Sequence, residues 1–105
     1  MKKIECIIRH KAFPMFEESV RALGIHGMTV SEVKGFGNEQ TRPDPYLFLP
    51  KVKVEIYACD EDVEKIVEIA FKICRTGQLG DGKIAVFEIQ DLIRIRTGER
   101  GEVAI

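Results

Sequence analysis

The sequence contains no long apolar run. Nothing in its 105 residues approaches the ~20 consecutive apolar residues that a membrane-spanning helix needs. Met1 and two lysines lead directly into an alternating pattern, without the apolar core of a signal peptide. We therefore expect no direct membrane insertion and a cytoplasmic location.

The sequence also lacks an excess of charge of one sign. Its 16 Lys and Arg residues nearly balance 17 Asp and Glu residues, and the net charge is −1. This balance provides no general attraction to nucleic acid or to an anionic membrane, so an ion must bind at a local site. At this length we expect one domain, residues 1–105, around a single core.

Paired cysteines and catalytic signatures are missing as well. Cys6, Cys59 and Cys74 are odd in number and lack CxxC spacing, so they predict neither a disulfide framework nor a zinc site. We expect them to be buried as small apolar residues. His10 and His26 have no partner at metal-ligand spacing. The chain has no GxSxG turn, Ser-His-Asp order or Walker motif. We therefore predict no catalytic residues.

The sequence does contain a regular succession of strand and helix patterns. Strand-like alternation of apolar and polar side chains occurs in residues 2–9, 27–34, 51–58 and 83–89, and in the second and third of these segments it predicts half-buried strands. Two helical patterns lie between them; Pro14 is in the first turn of one, Gly24 ends it, and Asp60 is expected to cap the other. The order βαββαβ predicts an α+β, ferredoxin-like fold whose antiparallel sheet carries both helices on one face.

The other face of the predicted sheet has a mixed character. Ile7, Ala85 and Phe87 would share it with charged residues such as Lys53 and Glu55. Such a surface is too apolar for open water and too charged for the core of a monomer. Self-association of the chain would resolve this conflict.

Residues 76–84, TGQLGDGKI, are rich in glycine. Gly77, Gly80 and Gly82 permit positive φ and close approach of a ligand. Lys83 and bare backbone N–H groups would attract an anion such as a phosphate. A plain helix-to-strand connection has a similar composition, so the motif alone leaves both interpretations open.

Two arginines follow the last predicted strand, in the segment RIRTGERG. In an extended chain, Arg94 and Arg96 would point to one side and the neighbouring isoleucines to the other. Arginine presents a planar fork of donors that suits phosphate oxygens, so the pair predicts an anion clamp. A solvated edge strand is an equal alternative for this segment alone.

Four segments together resemble the signature segments of the PII signal-transduction family: KGFG, FLPKVKVE, TGQLGDGKI and RIRTGERG. The resemblance covers residues 1–37 and 48–105. It implies a homotrimeric, non-enzymatic sensor of nitrogen and carbon metabolism that binds ATP or ADP, with AMP as a further candidate, between subunits. It also implies a regulated partner protein, for which a membrane transporter is one candidate.

The resemblance further implies which residues bind the nucleotide. The phosphates would lie against two turns that comprise Gly35, Phe36, Gly37, Gly80, Asp81, Gly82 and Lys83. Thr76 would back the second turn. Adenine and ribose would be surrounded by Ile7, Gly27, Met28, Thr29, Glu55 and Tyr57. Arg94 and Arg96 would reach the ligand from the neighbouring subunit, as parts of a C-terminal arm, residues 90–105.

Residues 38–47 depart from the family pattern. The family carries a longer flexible loop here, with a tyrosine that a nucleotidyltransferase modifies, whereas Pro43 and Pro45 restrict this shorter loop. Tyr46 lies in a different local sequence, so we do not carry the modification over to it. The shorter loop favours a divergent subgroup over an ordinary regulator of ammonium transport.

Glu39 stands where the family has a glutamine that ligates magnesium between ATP and 2-oxoglutarate. A carboxylate ligates Mg²⁺ well but adds negative charge beside anionic ligands. Glu39 is therefore a magnesium candidate, with Gln40 as a substitute, and 2-oxoglutarate binding is left open although Lys51 of the FLPK segment is kept. The alternative to a sensor is a slow hydrolase of nucleotides or acyl phosphates on the same scaffold.

Overall fold

Four strands and two helices follow one another in the predicted order. The computed structural model describes residues 1–38 and 49–105. The strands are β1 (Lys2–Ile8), β2 (Thr29–Gly35), β3 (Leu49–Ala58) and β4 (Lys83–Glu88). The helices are α1 (Phe13–Ala22), which follows a 3-10 turn at His10–Ala12, and α2 (Asp60–Cys74). A second 3-10 turn, Gly101–Ala104, ends the C-terminal arm.

The strands form one open antiparallel sheet in the order β2-β3-β1-β4. Ile4 of β1 lies opposite Ile56 of β3 on one side and Val86 of β4 on the other. The two central strands are therefore not consecutive in the chain, as the ferredoxin-like plan requires. This confirms the predicted α+β fold, while the predicted homotrimer stays a prediction.

The core lies between this sheet and the two helices. Ile4 of β1 and Ile56 of β3 are fully buried against Phe16 of α1 and Ile66 of α2. Because side chains alternate across a strand, every second residue of β1 and β3 faces the helices. The predicted apolar faces of both strands are confirmed, and both helices cover the same face of the sheet.

Two local predictions are wrong. The second strand was expected to be half-buried, but it is an edge strand, and none of its seven described residues is buried. Asp60 was expected to cap α2, but the helix begins at Asp60 itself, after Cys59. Its carboxylate instead accepts a hydrogen bond of 2.7 Å from the amino group of Met1. Because Asp60 lies in the first turn, its negative charge still interacts favourably with the helix dipole.

The face of the sheet opposite the helices, which we call the open face, carries matched charges. Lys53 lies 3.0 Å from the carboxylate of Glu5, and Lys3 lies 3.5 Å from that of Glu55. The ammonium group of Lys3 also lies 4.8 Å from the ring centroid of Phe87, within cation–π range. These pairs lower the cost of removing the face from water, since each charge already has a partner.

The core predicts a contrast between neighbouring residues of α1. Phe16→Ala is expected to lower the free energy of unfolding by about 3–5 kcal/mol, because it removes a ring that is fully buried. Met15→Ala, at a side chain that is 62% exposed, is the matched control and should change it by less than about 0.5 kcal/mol. Urea unfolding measures both, and equal effects would contradict this packing.

Candidate functional site

One carboxylate organises the loop between α2 and β4. Asp81 accepts hydrogen bonds from the backbone N–H groups of Thr76 (2.7 Å) and Gly77 (2.8 Å) and from the Thr76 hydroxyl (2.5 Å). It also receives one from the guanidinium of Arg9 at 2.5 Å. The hydroxyl of Thr76 and the charge of Arg9 hold the pKa of Asp81 well below its usual range. The side chain that was expected to hold a phosphate therefore closes the loop.

Arg9 is a site residue that the sequence did not predict. Its second terminal nitrogen donates to the carbonyl of Leu79 at 2.8 Å, so its two ends hold two points of the same loop. Strand pairing supplies a signal that would have found it. β1 and β4 pair Ile7 with Lys83, and the same register, continued by two residues, places Arg9 opposite Asp81.

The predicted positive φ angles are confirmed at Gly77 (85°), Gly80 (97°) and Gly82 (102°). Gly82 is restricted in a second way, because a Cβ built there would lie 1.7 Å from the carbonyl oxygen of Ile7. The loop therefore passes directly against the end of β1, and only glycine satisfies both its backbone angle and its contact.

A cleft of about 420 Å³, which we call the glycine cleft, opens beside this loop. Its lining consists of Ile7, Gly35, Phe36, Gly37, Asn38, Lys51, Gln78, Leu79, Gly80, Asp81, Gly82 and Lys83. Lys51 donates to the carbonyl of Gly80 at 2.8 Å. Among the described residues that line this cleft, Lys51 and Lys83 are cations, and the one carboxylate, Asp81, is paired with Arg9. Two cations in the described lining are of the kind that attracts an anion.

The predicted phosphate-binding residues thus come together, and the predicted adenine-binding residues separate from them. Only Ile7 of the second group lines the glycine cleft. The others line a second cleft of about 430 Å³, which we call the arm cleft; they are Gly27, Met28, Thr29, Glu55 and Tyr57. Leu92, Ile93 and Ile105 of the C-terminal arm form another part of its wall.

The two clefts lie at opposite ends of the sheet. Lys51, near the start of β3, lines the glycine cleft, and Tyr57, near its end, lines the arm cleft. Six strand residues span roughly 20 Å. One chain therefore does not gather the predicted residues around a single adenine nucleotide.

The C-terminal arm does not have the extended geometry that was expected of its arginines. Arg94 begins a tight turn in which its carbonyl accepts from the N–H of Gly98 at 2.7 Å, and Gly98 has a φ of 75°. The Arg94 side chain binds the carboxylate of Glu99 (2.8 Å) and the carbonyls of Val103 (2.9 Å) and Ile105 (3.1 Å). The extended geometry predicted for the two arginines is therefore wrong, while their binding of an anion stays a prediction.

Arg96 lies within the same turn and is exposed. It makes no ion pair or side-chain hydrogen bond with another described residue. The two arginines consequently differ, because Arg94 is engaged with its own arm and Arg96 points its charge toward solvent.

Several predictions fall on residues 39–48, outside the described residues. They concern Glu39 as a magnesium ligand, Gln40 as its substitute, and Pro43, Pro45 and Tyr46. Within residues 1–38 and 49–105, no group of three or more His, Cys, Asp or Glu side chains is placed to hold a metal ion. No helix in the described part of the chain has the length and apolar character needed to cross a membrane.

The cysteines follow the sequence prediction in part. Cys6 and Cys74 are buried, as expected of small apolar residues, while Cys59 is half-buried. Burial raises the pKa of the Cys6 thiol to about 12. A thiol with this pKa is protonated near neutral pH and is a poor nucleophile.

Comparison with known proteins assigns this fold and loop to a family. The family model described as nitrogen regulatory protein P-II matches residues 1–99. The chain is 46% identical to nitrogen regulatory protein P-II of Pasteurella multocida and 43% identical to that of Rhizobium meliloti. It is 44% identical to nitrogen regulatory protein P-II 1 of Escherichia coli, and all three alignments cover 100% of both chains.

The ferredoxin-like sheet, the glycine cleft and these matches together define a signal-transduction regulator. The chain belongs to the nitrogen regulatory protein P-II family. The alignments extend over 112 positions against the 105 residues of this chain, so the relatives contain positions that have no counterpart here.

Asp81→Asn is expected to destabilise the protein in a pH-dependent way. A carboxyl group whose pKa is lowered by folding stabilises the fold above its unfolded pKa, about 4, and loses this contribution as pH falls through the lower folded value. The difference in unfolding free energy between wild type and Asp81→Asn should therefore be full near neutral pH and shrink below about pH 4. Urea unfolding across this range measures it.

Glu68→Gln, which removes an exposed carboxylate of α2, is the control for the loss of one negative charge. A difference for Asp81→Asn that stayed constant with pH would contradict the role of its charge in the loop.

Proposed function

We propose that this chain binds ATP or ADP, with AMP as a further candidate, between neighbouring subunits of a homotrimer and thereby regulates a partner protein. One observation carries the proposal. The predicted nucleotide-binding residues fall into two clefts at opposite ends of one sheet. If the glycine cleft of one subunit faced the arm cleft of the next, both sets of residues would meet the same nucleotide.

The glycine cleft has the chemistry for the phosphates. Gly80 and Gly82 carry no side chain between backbone and ligand, and Lys51 and Lys83 supply positive charge. Hydrogen bonds to charged groups contribute roughly 1.5–3 kcal/mol each, so a few of them and a buried adenine reach the roughly 8 kcal/mol of micromolar affinity. Affinity in this range suits a sensor of nucleotide concentration.

The arm has the chemistry to complete the site from the neighbouring subunit. Arg96 is exposed and Arg94 is bound to Glu99 and to two carbonyls of its own arm. A phosphate is a stronger partner for a guanidinium than an uncharged carbonyl. Binding would therefore exchange the backbone contacts of Arg94 for contacts with the ligand, whereas its ion pair with Glu99 has a charged partner and need not break.

The open face supports the trimer. It combines Ile7, Ala85 and Phe87, which is 43% exposed, with charges that are already paired within the sheet. Three such faces turned inward would bury the apolar residues without leaving a charge unpaired.

Light scattering of the purified protein at micromolar concentration is expected to give the mass of three chains. As a control on the interface, Phe87→Glu should lower that mass, because it adds unpaired charge to the open face, whereas Phe71→Glu on the outer side of α2 should leave it unchanged. A monomer in the wild-type protein would contradict both the trimer and the site built between its subunits.

Regulation requires that nucleotides bind two states of the protein with different affinity. Residues 38–47 follow directly from the wall of the glycine cleft, so a ligand there is placed to bias their conformation. We propose that the partner reads this segment, with a membrane transporter as one candidate. The positions that the relatives have in excess of this chain are consistent with a shorter segment here. Magnesium through Glu39 and 2-oxoglutarate binding are left open.

Arg94→Ala combined with Arg96→Ala is expected to weaken ATP and ADP binding at least tenfold without dissociating the trimer. Isothermal titration calorimetry measures the affinities and light scattering the assembly. Arg21→Ala, on the exposed side of α1, is the matched loss of an arginine that lines neither the glycine cleft nor the arm cleft, and it should bind like wild type. Unchanged affinity in the double variant would contradict the proposed role of the arm.

A phosphate-release assay, run alongside these titrations, separates a sensor from a slow hydrolase. Among the described residues that line the glycine cleft, Asp81 is the only carboxylate. Its oxygens accept three hydrogen bonds from the loop and one from Arg9, so it is not placed to activate water. We expect saturable nucleotide binding with phosphate release no faster than in buffer. Measurable turnover by wild type would favour the hydrolase instead.

A further inference from the structure

Arg9 contacts the loop from outside the glycine cleft. It follows β1, its side chain is 24% exposed, and it is not among the residues that line the cleft. One guanidinium nitrogen binds the Asp81 carboxylate and the other the Leu79 carbonyl. A planar guanidinium has a fixed separation between these donors, so it fixes two points of the loop relative to each other.

The contact with Leu79 has a consequence on the opposite side of the backbone. In a trans peptide the C=O of one residue and the N–H of the next point in opposite directions. Because the Leu79 carbonyl is directed toward Arg9, the N–H of Gly80 is directed away from Arg9. Gly80 lines the glycine cleft, whereas Arg9 does not.

The loop needs such a restraint because of its glycines. Gly80 and Gly82 have φ values of 97° and 102°, and glycine also populates many other conformations in a free chain. Each backbone residue that is held in place before binding reduces the entropy that the ligand must overcome.

Arg9 also changes the charge that an anion meets. The Asp81 carboxylate would repel a phosphate in the glycine cleft, and the adjacent guanidinium compensates it. Cys74, at the end of α2, is a further titratable group that interacts with Asp81, and its pKa is raised by burial and by that carboxylate.

We propose that Arg9 is a positioning residue for the anion site: it holds the Leu79 carbonyl and the Asp81 carboxylate from behind, so that the Gly80 N–H faces the phosphates. This inference rests on the proposed nucleotide binding. It adds a residue that contacts no ligand and acts through the loop.

Three variants test it against ADP as the probe. Arg9→Gln removes the charge and the fork, Arg9→Lys keeps the charge but loses the fork, and Arg21→Gln removes an arginine that is 77% exposed on α1. We expect ADP affinity to fall at least tenfold in Arg9→Gln and about threefold in Arg9→Lys, and to stay at the wild-type value in Arg21→Gln. Calorimetry measures the affinities of the intact oligomers, and urea unfolding measures their stability.

A second readout separates positioning from general damage. The pKa of Asp81, followed by carboxyl carbon NMR, should rise toward its usual value in Arg9→Gln and by less in Arg9→Lys. Arg9→Gln should also be made in a protein that already carries Asp81→Asn. The loss of ADP affinity should be smaller there, because the contact of Arg9 with the Asp81 carboxylate is already gone, but it should not vanish, because Arg9 still contacts the Leu79 carbonyl. If Arg9→Gln does not fold, the partial loss in a stably folded Arg9→Lys decides the question.

The outcomes are distinct. Wild type that binds no ADP would contradict the proposed function and this inference together. Wild type that binds ADP, with equal affinity in either folded Arg9 variant, would overturn the inference alone. Loss of affinity only in proportion to lost global stability, with the pKa of Asp81 unmoved, would likewise overturn it.

Discussion

The rest of the candidate site depends on the Asp81 carboxylate. Its oxygens accept from the two backbone N–H groups that follow α2, from the Thr76 hydroxyl and from Arg9. These bonds connect the end of a helix, the end of β1 and the start of β4. A loop with three positive-φ glycines has no shape of its own. The shape that forms the glycine cleft comes from this one acceptor and the donors around it.

The sheet determines how much of a site one chain can form. It places the glycine cleft at one end and the arm cleft at the other, and β3 contributes residues to both. The open face between them carries ion pairs within the sheet and apolar side chains that remain partly exposed. In the proposed trimer, burial of this face and completion of the nucleotide site are one event, so assembly and ligand binding would stabilise each other.

Much of the fold could be predicted because burial imposes a period on the sequence. Every second residue of β1 and β3 faces two helices, and their alternation was therefore visible. The side chains of β2 also alternate between apolar and polar, but β2 is an edge strand and none of its residues is buried. The alternation alone does not show whether a helix covers the strand. Asp60 was predicted to be the N-cap of α2, but it is the first residue of the helix. Aspartate is common at both positions, so its presence alone does not distinguish them.

The parts of the site that depend on the local sequence were predicted. The parts that depend on how distant strands pair were missed. Glycine composition indicated the positive φ angles directly. Arg9 lies 72 residues from Asp81, and only strand pairing brings them together. Arg94 and Arg96 have the spacing of residues on one face of a strand. Gly98, however, permits a turn in which the Arg94 guanidinium binds acceptors of its own arm, among them the Glu99 carboxylate. Long-range pairing and competition among acceptors are properties of the folded chain, not of a segment.

The crowding at Gly82 affects how natural variation and alanine scans should be interpreted. Every missense change at this codon places an atom against the Ile7 carbonyl, so the phenotype of such an allele reports whether the loop closes on β1. It does not report what the loop binds. Gly77 differs, because a Cβ built there meets no atom within 4 Å, so its positive φ of 85° is what restricts that position.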